Sequence, residues 1–268
     1  AGKGVLIIDN LVEAKAALKT MLEGQFGTAS KKVVIEEFLS GIEVSYFIVT
    51  DGDNYLLLPE AKDYKRIGEK DTGLNTGGMG AVSPIPFATK EFTKKVIDRI
   101  IEPTVKGLKA EGILYQGFIF FGLIKVNNEP MVIEYNARMG DPETEVVLPR
   151  IDADFLEILA AIPTKSLNKV AYSIKPEAAA TVMMVSGGYP GTYEKGNVMT
   201  GFELIKNSIA FHAGTTIKNN QIVTNGGRVV AITSMGKNRQ QALELSYKNA
   251  TLIEYKNRYF RRDIGSDL

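Results

Sequence analysis

The sequence contains no cysteine among its 268 residues and only one histidine. The first absence removes disulfides, thiolate metal sites and cysteine nucleophiles together. The second leaves a zinc centre without a ligand set. Neither sign of charge is in excess, since 32 Lys and Arg stand against 31 Asp and Glu for a net charge of +1. Such a balance creates no overall field toward nucleic acid or an anionic membrane, so any anion site must be local. Long apolar runs are missing too. The longest, Ile113 to Ile124, is interrupted by Gln116 and is shorter than the roughly 20 residues a membrane span requires. Ala1-Gly2-Lys3-Gly4 leads into only four apolar residues before Asp9, which is not a signal-peptide pattern. The expected location is cytoplasmic.

What is present is ordinary globular material: 44% hydrophobic and 24% charged residues, in a length that suggests about two domains. Val5 to Ile8 has the length of a strand, and Asn10 caps a helical spacing of Leu11, Ala14, Leu18, Met21 and Leu22. Val33 to Phe38 and Glu43 to Thr50 are expected strands, the latter returning after Asp51-Gly52 as Tyr55 to Leu58. Asp63 to Pro86 shows neither period and holds five glycines, so it is expected to be a long loop of functional origin. Phe92 to Leu108 follows helical spacing with Pro103 set to kink it. Gly117 to Val126 and Met131 to Asn136 should pair around Asn127-Asn128. Pro142 opens a short helix and Asp152 to Ile162 another; beyond Pro163 come short β-like runs and an amphipathic helix near Gln240 to Tyr255.

Glu134 and Asn136 close an expected strand, where residues two apart share a face, and Arg138 joins them if the chain stays extended. A carboxylate and an amide oxygen suit Mg²⁺, which takes few protein ligands and leaves its other positions to water and phosphates. Arg138 can grip a carboxylate or phosphate with two bonds. The same spacing also fits a solvated strand end. Asp141 and Pro142 fit the cap and first position of the next helix. In the long loop, Lys65 and Arg66 precede Asn75-Thr76-Gly77-Gly78-Met79-Gly80; successive glycine N–H groups can form an anion nest, or the segment is a plain surface loop. Gly2-Lys3-Gly4 resembles a phosphate loop without the Walker spacing. His212 fits a structural histidine.

Taken in order, KRIGEKDTGLNTGGMGAVSP (Lys65 to Pro84), VIEYNARMGDPETE (Val132 to Glu145), SGGYPG (Ser186 to Gly191), FHAGT (Phe211 to Thr215), TNGGRV (Thr224 to Val229) and RRDIG (Arg261 to Gly265) resemble the ATP-grasp ligases, and among them the phosphoribosylamine-glycine ligase family. Met139 stands where that pattern has Leu or Phe. The resemblance implies an α+β ATP-grasp fold, an antiparallel sheet flanked by helices with a partial nucleotide lid, followed by a small β-rich C-terminal domain. The expected divisions are residues 1–38 (lid), 39–170 (core) and 171–268 (C-terminal domain). It also implies that the chain corresponds to the C-terminal portion of such an enzyme, without the N-terminal domain. The implied activity is ATP- and Mg²⁺-dependent (or Mn²⁺-dependent) ligation of glycine to 5-phosphoribosylamine through glycyl phosphate in purine synthesis, by a monomer. Another ATP-grasp carboxylate-amine ligase, or a non-catalytic fragment, are the alternatives.

By the same resemblance, Glu134 and Asn136 hold the metal, and Gly2, Lys3 and Gly4 meet ATP phosphates. Glu36 and the Phe38 and Leu39 backbone meet adenine, while Glu43 holds the ribose. Arg138 takes the glycine carboxylate, and Asp63, Lys65, Asp71, Asn75 and Thr76 lie near the acceptor substrates.

Overall fold

The computed structural model describes residues 5–268, in two compact units, 1–40 and 41–268. In the first unit, Asn10 caps helix α1 (Leu11–Thr20), its side chain accepting from the N–H groups of Val12 and Glu13 at 2.8 and 3.2 Å. The strands expected at Val5 to Ile8 and Val33 to Phe38 form no strand ladder among the described residues. Their β-branched composition favours strands, yet Ile7, Val34 and Ile35 remain exposed. Strand propensity counts only where a partner and a packed face exist.

The second unit begins with β1 (Ile42–Thr50), β2 (Tyr55–Leu57), β3 (Lys62–Asp63), β4 (Arg66–Gly68), β5 (Thr72–Asn75) and β6 (Gly80–Ser83). The segment expected as one long loop therefore contains a β4–β5 hairpin and a buried strand, β6. Its periodicity is invisible because β5 is exposed along its whole length, whereas β6 is buried along its whole length. Helices α2 (Lys90–Val96) and α3 (Glu102–Ala110) are joined through one wider turn at Ile97–Ile101. Pro103 sits just beyond it, in the first turn of α3, where its missing N–H is tolerated.

Next come β7 (Gly117–Val126), β8 (Glu129–Asn136), α4 (Thr144–Val147), β9 (Ile151–Asp152), α5 (Phe155–Ala161), β10 (Ser173–Ile174) and β11 (Ala178–Val185). The unit ends with β12 (Ser208–His212), β13 (Thr215–Lys218), β14 (Gln221–Thr224), β15 (Arg228–Gly236) and α6 (Arg239–Ala250). One antiparallel sheet has the order β2-β1-β7-β8 and a second has β12-β15-β11-β6-β3. A bridge between Ser45 and Ala61 links them.

One face of the first sheet carries Val44, Tyr46, Ile48, Ile119, Phe121 and Leu123, packed with Phe92, Val96, Ile100 and Val105 of the helical layer. The opposite face carries Phe47, Val49 and Phe120 against Ala81, Val146 and Val147. Of the strands past residue 171, β13 and β14 form a two-stranded sheet with each other, while β11, β12 and β15 join strands from before it. β11 pairs with β6, so the second sheet draws strands from both sides of residue 170.

Candidate functional site

The site is built on the inner face of the first sheet. Across three strands Ser45 stands opposite Gly122 and Gly122 opposite Glu134, and directly paired residues point to the same face. The pairing of β7 with β8 slips between Gly122 and Leu123: Leu123 faces Val132, while Gly122 faces Glu134 rather than Ile133. This bulge turns the carboxylate of Glu134 away from the helical layer and onto the face of Ser45, a re-aiming that bulges commonly perform. Gly122 keeps the row open, since a Cβ there would lie 3.0 Å from Glu134 Cγ.

Asn136 shares that face, and its Nδ2 donates to Glu134 Oε1 at 3.0 Å. The oxygen and nitrogen of an amide are assigned by such partners; rotating this one brings a second oxygen beside the carboxylate. Arg138 is exposed beyond the strand end, where its Nη1 donates to the carbonyl of Met139 at 2.8 Å. Among the described residues no group of three or more His, Asp or Glu side chains could enclose a metal. A hard cation held by one carboxylate and one amide, with phosphates completing its shell, fits this donor set.

On the same face, roughly 10 Å away at two strand spacings, lies a second polar group. Lys65 Nζ pairs with Glu43 and lies 4.0 Å from Asp63 Oδ1. Ser45 Oγ donates to Glu143 Oε1 at 3.1 Å. Glu143 is only 4% exposed, and burial together with the charge of Asp63 pushes its carboxyl up to about 8. Burial also raises Asp63, against the pull of Lys65. Lys65 is held above its ordinary value because Asp63 and Glu43 outweigh its own desolvation. Glu143 and Ser45 were not singled out from the sequence. Only the chance that a buried Glu follows Asp141-Pro142 hinted at the first, and nothing local marked the second.

The remaining expected residues are placed by loop contacts. Thr76 caps its own turn, its N–H and hydroxyl donating to the Lys65 carbonyl at 2.7 and 2.8 Å and its Oγ1 accepting from Gly78 N at 2.9 Å. Asn75 ends β5 opposite Arg66. Asp71 is bound by Arg261 Nη1 at 2.7 Å; the same guanidinium, 1% exposed, also grips Asp263 with two bonds of 2.8 Å and reaches the Arg66 carbonyl. Asp141 does not cap the helix as expected. Its carboxylate pairs with Arg228 at 2.7 Å, and α4 starts only at Thr144, without a side-chain cap. Glu145 follows in α4, raised to about 7 by burial and by Asp141.

Glu36, Phe38 and Leu39 lie in the other unit, with the Phe38 ring exposed. Gly2, Lys3 and Gly4 lie outside the described residues. His212 is exposed, stacked on Phe202 at 5.0 Å between ring centres and hydrogen-bonded to Thr215.

Comparison with known proteins shows the family to which the chain is similar. Residues 1–144 match the model of the phosphoribosylglycinamide synthetase ATP-grasp (A) domain, and residues 179–267 match that of its C domain. A phosphoribosylamine–glycine ligase of Fusobacterium nucleatum is 44% identical over 271 residues, covering 99% of this chain and 64% of its own length. The ligase of that name from Vibrio vulnificus is 45% identical, with 99% and 63% covered. The crystal structure of the Thermotoga maritima phosphoribosylamine–glycine ligase superposes with a TM-score of 0.84 at 34% identity, covering 98% of this chain and 66% of that one. The chain thus spans a little under two thirds of the curated relatives it matches.

Proposed function

Since the chain belongs to the phosphoribosylglycinamide synthetase family, we propose that the protein it forms ligates glycine to 5-phosphoribosylamine. The reaction consumes ATP and releases ADP and phosphate, passes through glycyl phosphate, and supplies glycinamide ribonucleotide to purine synthesis. The observation that carries this reading is the bulge-directed pair Glu134 and Asn136 on the same sheet face as the Lys65 cluster.

A carboxylate resists attack by an amine, so the oxygen of glycine is phosphorylated first and the amine then displaces phosphate. Neither step needs a protein nucleophile, in keeping with a sequence that has no cysteine. Positioning and charge neutralisation are what the site must supply. Mg²⁺ (or Mn²⁺), when bound, neutralises the phosphate charge that builds up during transfer, with Glu134 and Asn136 as its protein ligands. Arg138 is free to leave the Met139 carbonyl and take the glycine carboxylate with two bonds. Lys65, kept charged by Asp63 and Glu43, faces the acceptor side with Asn75 and Thr76. Glu43 is the ribose ligand, and Asp71 acts near the acceptor through the loop it fastens to Arg261. In the other unit, Glu36 and the Phe38 and Leu39 backbone are assigned to adenine, and Gly2, Lys3 and Gly4 to phosphates, on the resemblance alone.

The test is ADP release from Mg-ATP by the protein as its gene encodes it, with glycine, alanine or bicarbonate offered as the acid and phosphoribosylamine as the amine. Release that requires both glycine and phosphoribosylamine supports the assignment. Release triggered by another acid replaces it with a different carboxylate-amine ligase.

A further inference from the structure

The glycine-rich turn at 224–228 ends in an arginine whose guanidinium joins two distant segments of the site. Arg228 Nη1 donates to the Gly77 carbonyl at 2.7 Å and to the Asp141 carbonyl at 2.8 Å, while Nη2 meets Asp141 Oδ2 at 2.7 Å. These partners lie 151 and 87 residues away along the chain. Gly77 accepts the guanidinium closely because it has no side chain; a Cβ there would lie 2.8 Å from Arg228 Cζ. The N–H of the same glycine donates to Tyr189 Oη at 3.1 Å. The Tyr189 ring in turn occupies the space that a side chain on Gly227 would need. Both sides of Gly77 are therefore held from the C-terminal part of the chain. Gly78, with φ of 121°, then turns the loop against Pro142.

An exposed ion pair between Arg228 and Asp141 would need only the carboxylate. The two carbonyl bonds do something else: they fix the peptide of Gly77 and the peptide of Asp141 to one rigid plane. Only a guanidinium offers several donors in a fixed fork, and a lysine at this position can satisfy the charge without the spacing. Upstream of Gly77 lie Lys65, Asn75 and Thr76; upstream of Asp141 lies Arg138.

We propose that Arg228 is a positioning residue, which through Gly77 and Asp141 sets the distance between the loop that receives the amine substrate and the segment that grips the amino-acid carboxylate. It touches neither substrate. The inference rests on the proposed function for the identity of the two substrates, and on the hydrogen bonds alone for the fastening. A displacement of about 1 Å between reacting groups costs on the order of a hundredfold in rate, so loss of this spacing is readily measured.

The experiment compares R228A, R228K and D141N with the wild-type protein as its gene encodes it, using steady-state ADP release and amide hydrogen exchange of residues 72–80. For R228A, kcat should fall by up to about a hundredfold and the KM for glycine and for the amine should rise with it, because the groups that hold the two substrates are no longer kept at the reacting distance, with the ATP KM nearly unchanged. Loop exchange should accelerate while that of β11 stays constant, which shows that the fold persists. R228K should resemble R228A more than D141N does, because the lysine keeps the charge and loses the fork. Unchanged glycine and amine KM values in R228A overturn the inference, and so does a parallel rise in the ATP KM. If the wild type shows no glycine-dependent turnover, the proposed function fails. Loop exchange then decides the fastening by itself: acceleration in R228A upholds it, and no change overturns it.

Discussion

Replacing Glu143 with glutamine should stabilise the fold, and by an amount that grows with pH. The carboxyl is 4% exposed and held up to about 8 by burial and Asp63, against an ordinary 4.5. The native state therefore keeps a proton that the unfolded chain releases between those two values. Because the native state binds more protons there, this group's contribution to stability is greatest below pH 4.5 and falls as pH rises toward 8. Each pH unit of that interval costs about 1.4 kcal/mol, so the full span amounts to roughly 4–5 kcal/mol by pH 9, most of it developing above pH 5. Glutamine is nearly isosteric and has no proton to lose, and its Oε1 can still accept from Ser45. The stability difference between E143Q and wild type, from urea titrations at intervals from pH 5 to 9, should rise steadily in favour of the variant. Other titrating groups cancel in that difference, apart from Asp63, whose titration is linked to that of Glu143. A difference that stays flat, or that turns against E143Q at high pH, would refute the assignment of a buried, protonated carboxyl.

Substituting Glu134 by alanine should abolish Mg²⁺-dependent turnover of the full protein while leaving its melting temperature unchanged, because the side chain is exposed and, among the described residues, only Asn136 bonds to it; turnover that persists at limiting Mg²⁺ sinks the metal role. Arg138→Ala should raise the KM for glycine and spare ATP, and equal glycine kinetics in the variant and wild type would remove it from the carboxylate site. Arg261→Ala strips the buried partner from Asp263 and Asp71, so it should cost on the order of 3–5 kcal/mol in urea denaturation. A loss below about 1 kcal/mol would show that water replaces the guanidinium, as at ordinary surface pairs.

Elements made by neighbours along the chain were legible before the structure was known. The β7–β8 hairpin announced itself through Asn127-Asn128, whose positive φ values of 49° and 66° are what its tight turn demands. The α1 cap at Asn10 follows the same logic, and α5 stands within the expected Asp152 to Ile162, although it starts three residues later, behind a cap at Asp154 that was not foreseen. What failed to show was anything decided at long range. The bulge at Ile133 depends on pairing with β7, yet it decides which face Glu134 occupies. Asp141 looks like a helix cap because Asp-Pro commonly is one; the competing partner, Arg228, lies 87 residues downstream. Val5 to Ile8 and Val33 to Phe38 have the composition of strands but no ladder in the fold.

The glycine loop makes the physical reason plain. None of the residues of β5 is buried, so no hydrophobic face selects the conformation of Thr72–Asn75. Its shape is imposed from outside: Arg261 takes Asp71 and the Arg66 carbonyl, Asp263 accepts from Lys70 N at 2.6 Å, and Arg228 with Tyr189 takes Gly77. These five bonds span between 112 and 195 residues of sequence. Three of the C-terminal motifs are thus one half of a contact whose other half is in the loop: RRDIG answers KRIGEKD, while NGGR and SGGYPG answer TGGMG. Such motifs read as unrelated glycine and charge clusters when taken singly, and their meaning lies in the pairing. The same pairing explains why the second sheet holds strands from both sides of residue 170. A loop with no core of its own must be built against the strands that hold it, and β6, which continues from that loop, pairs with β11, which leads into the 186–191 turn.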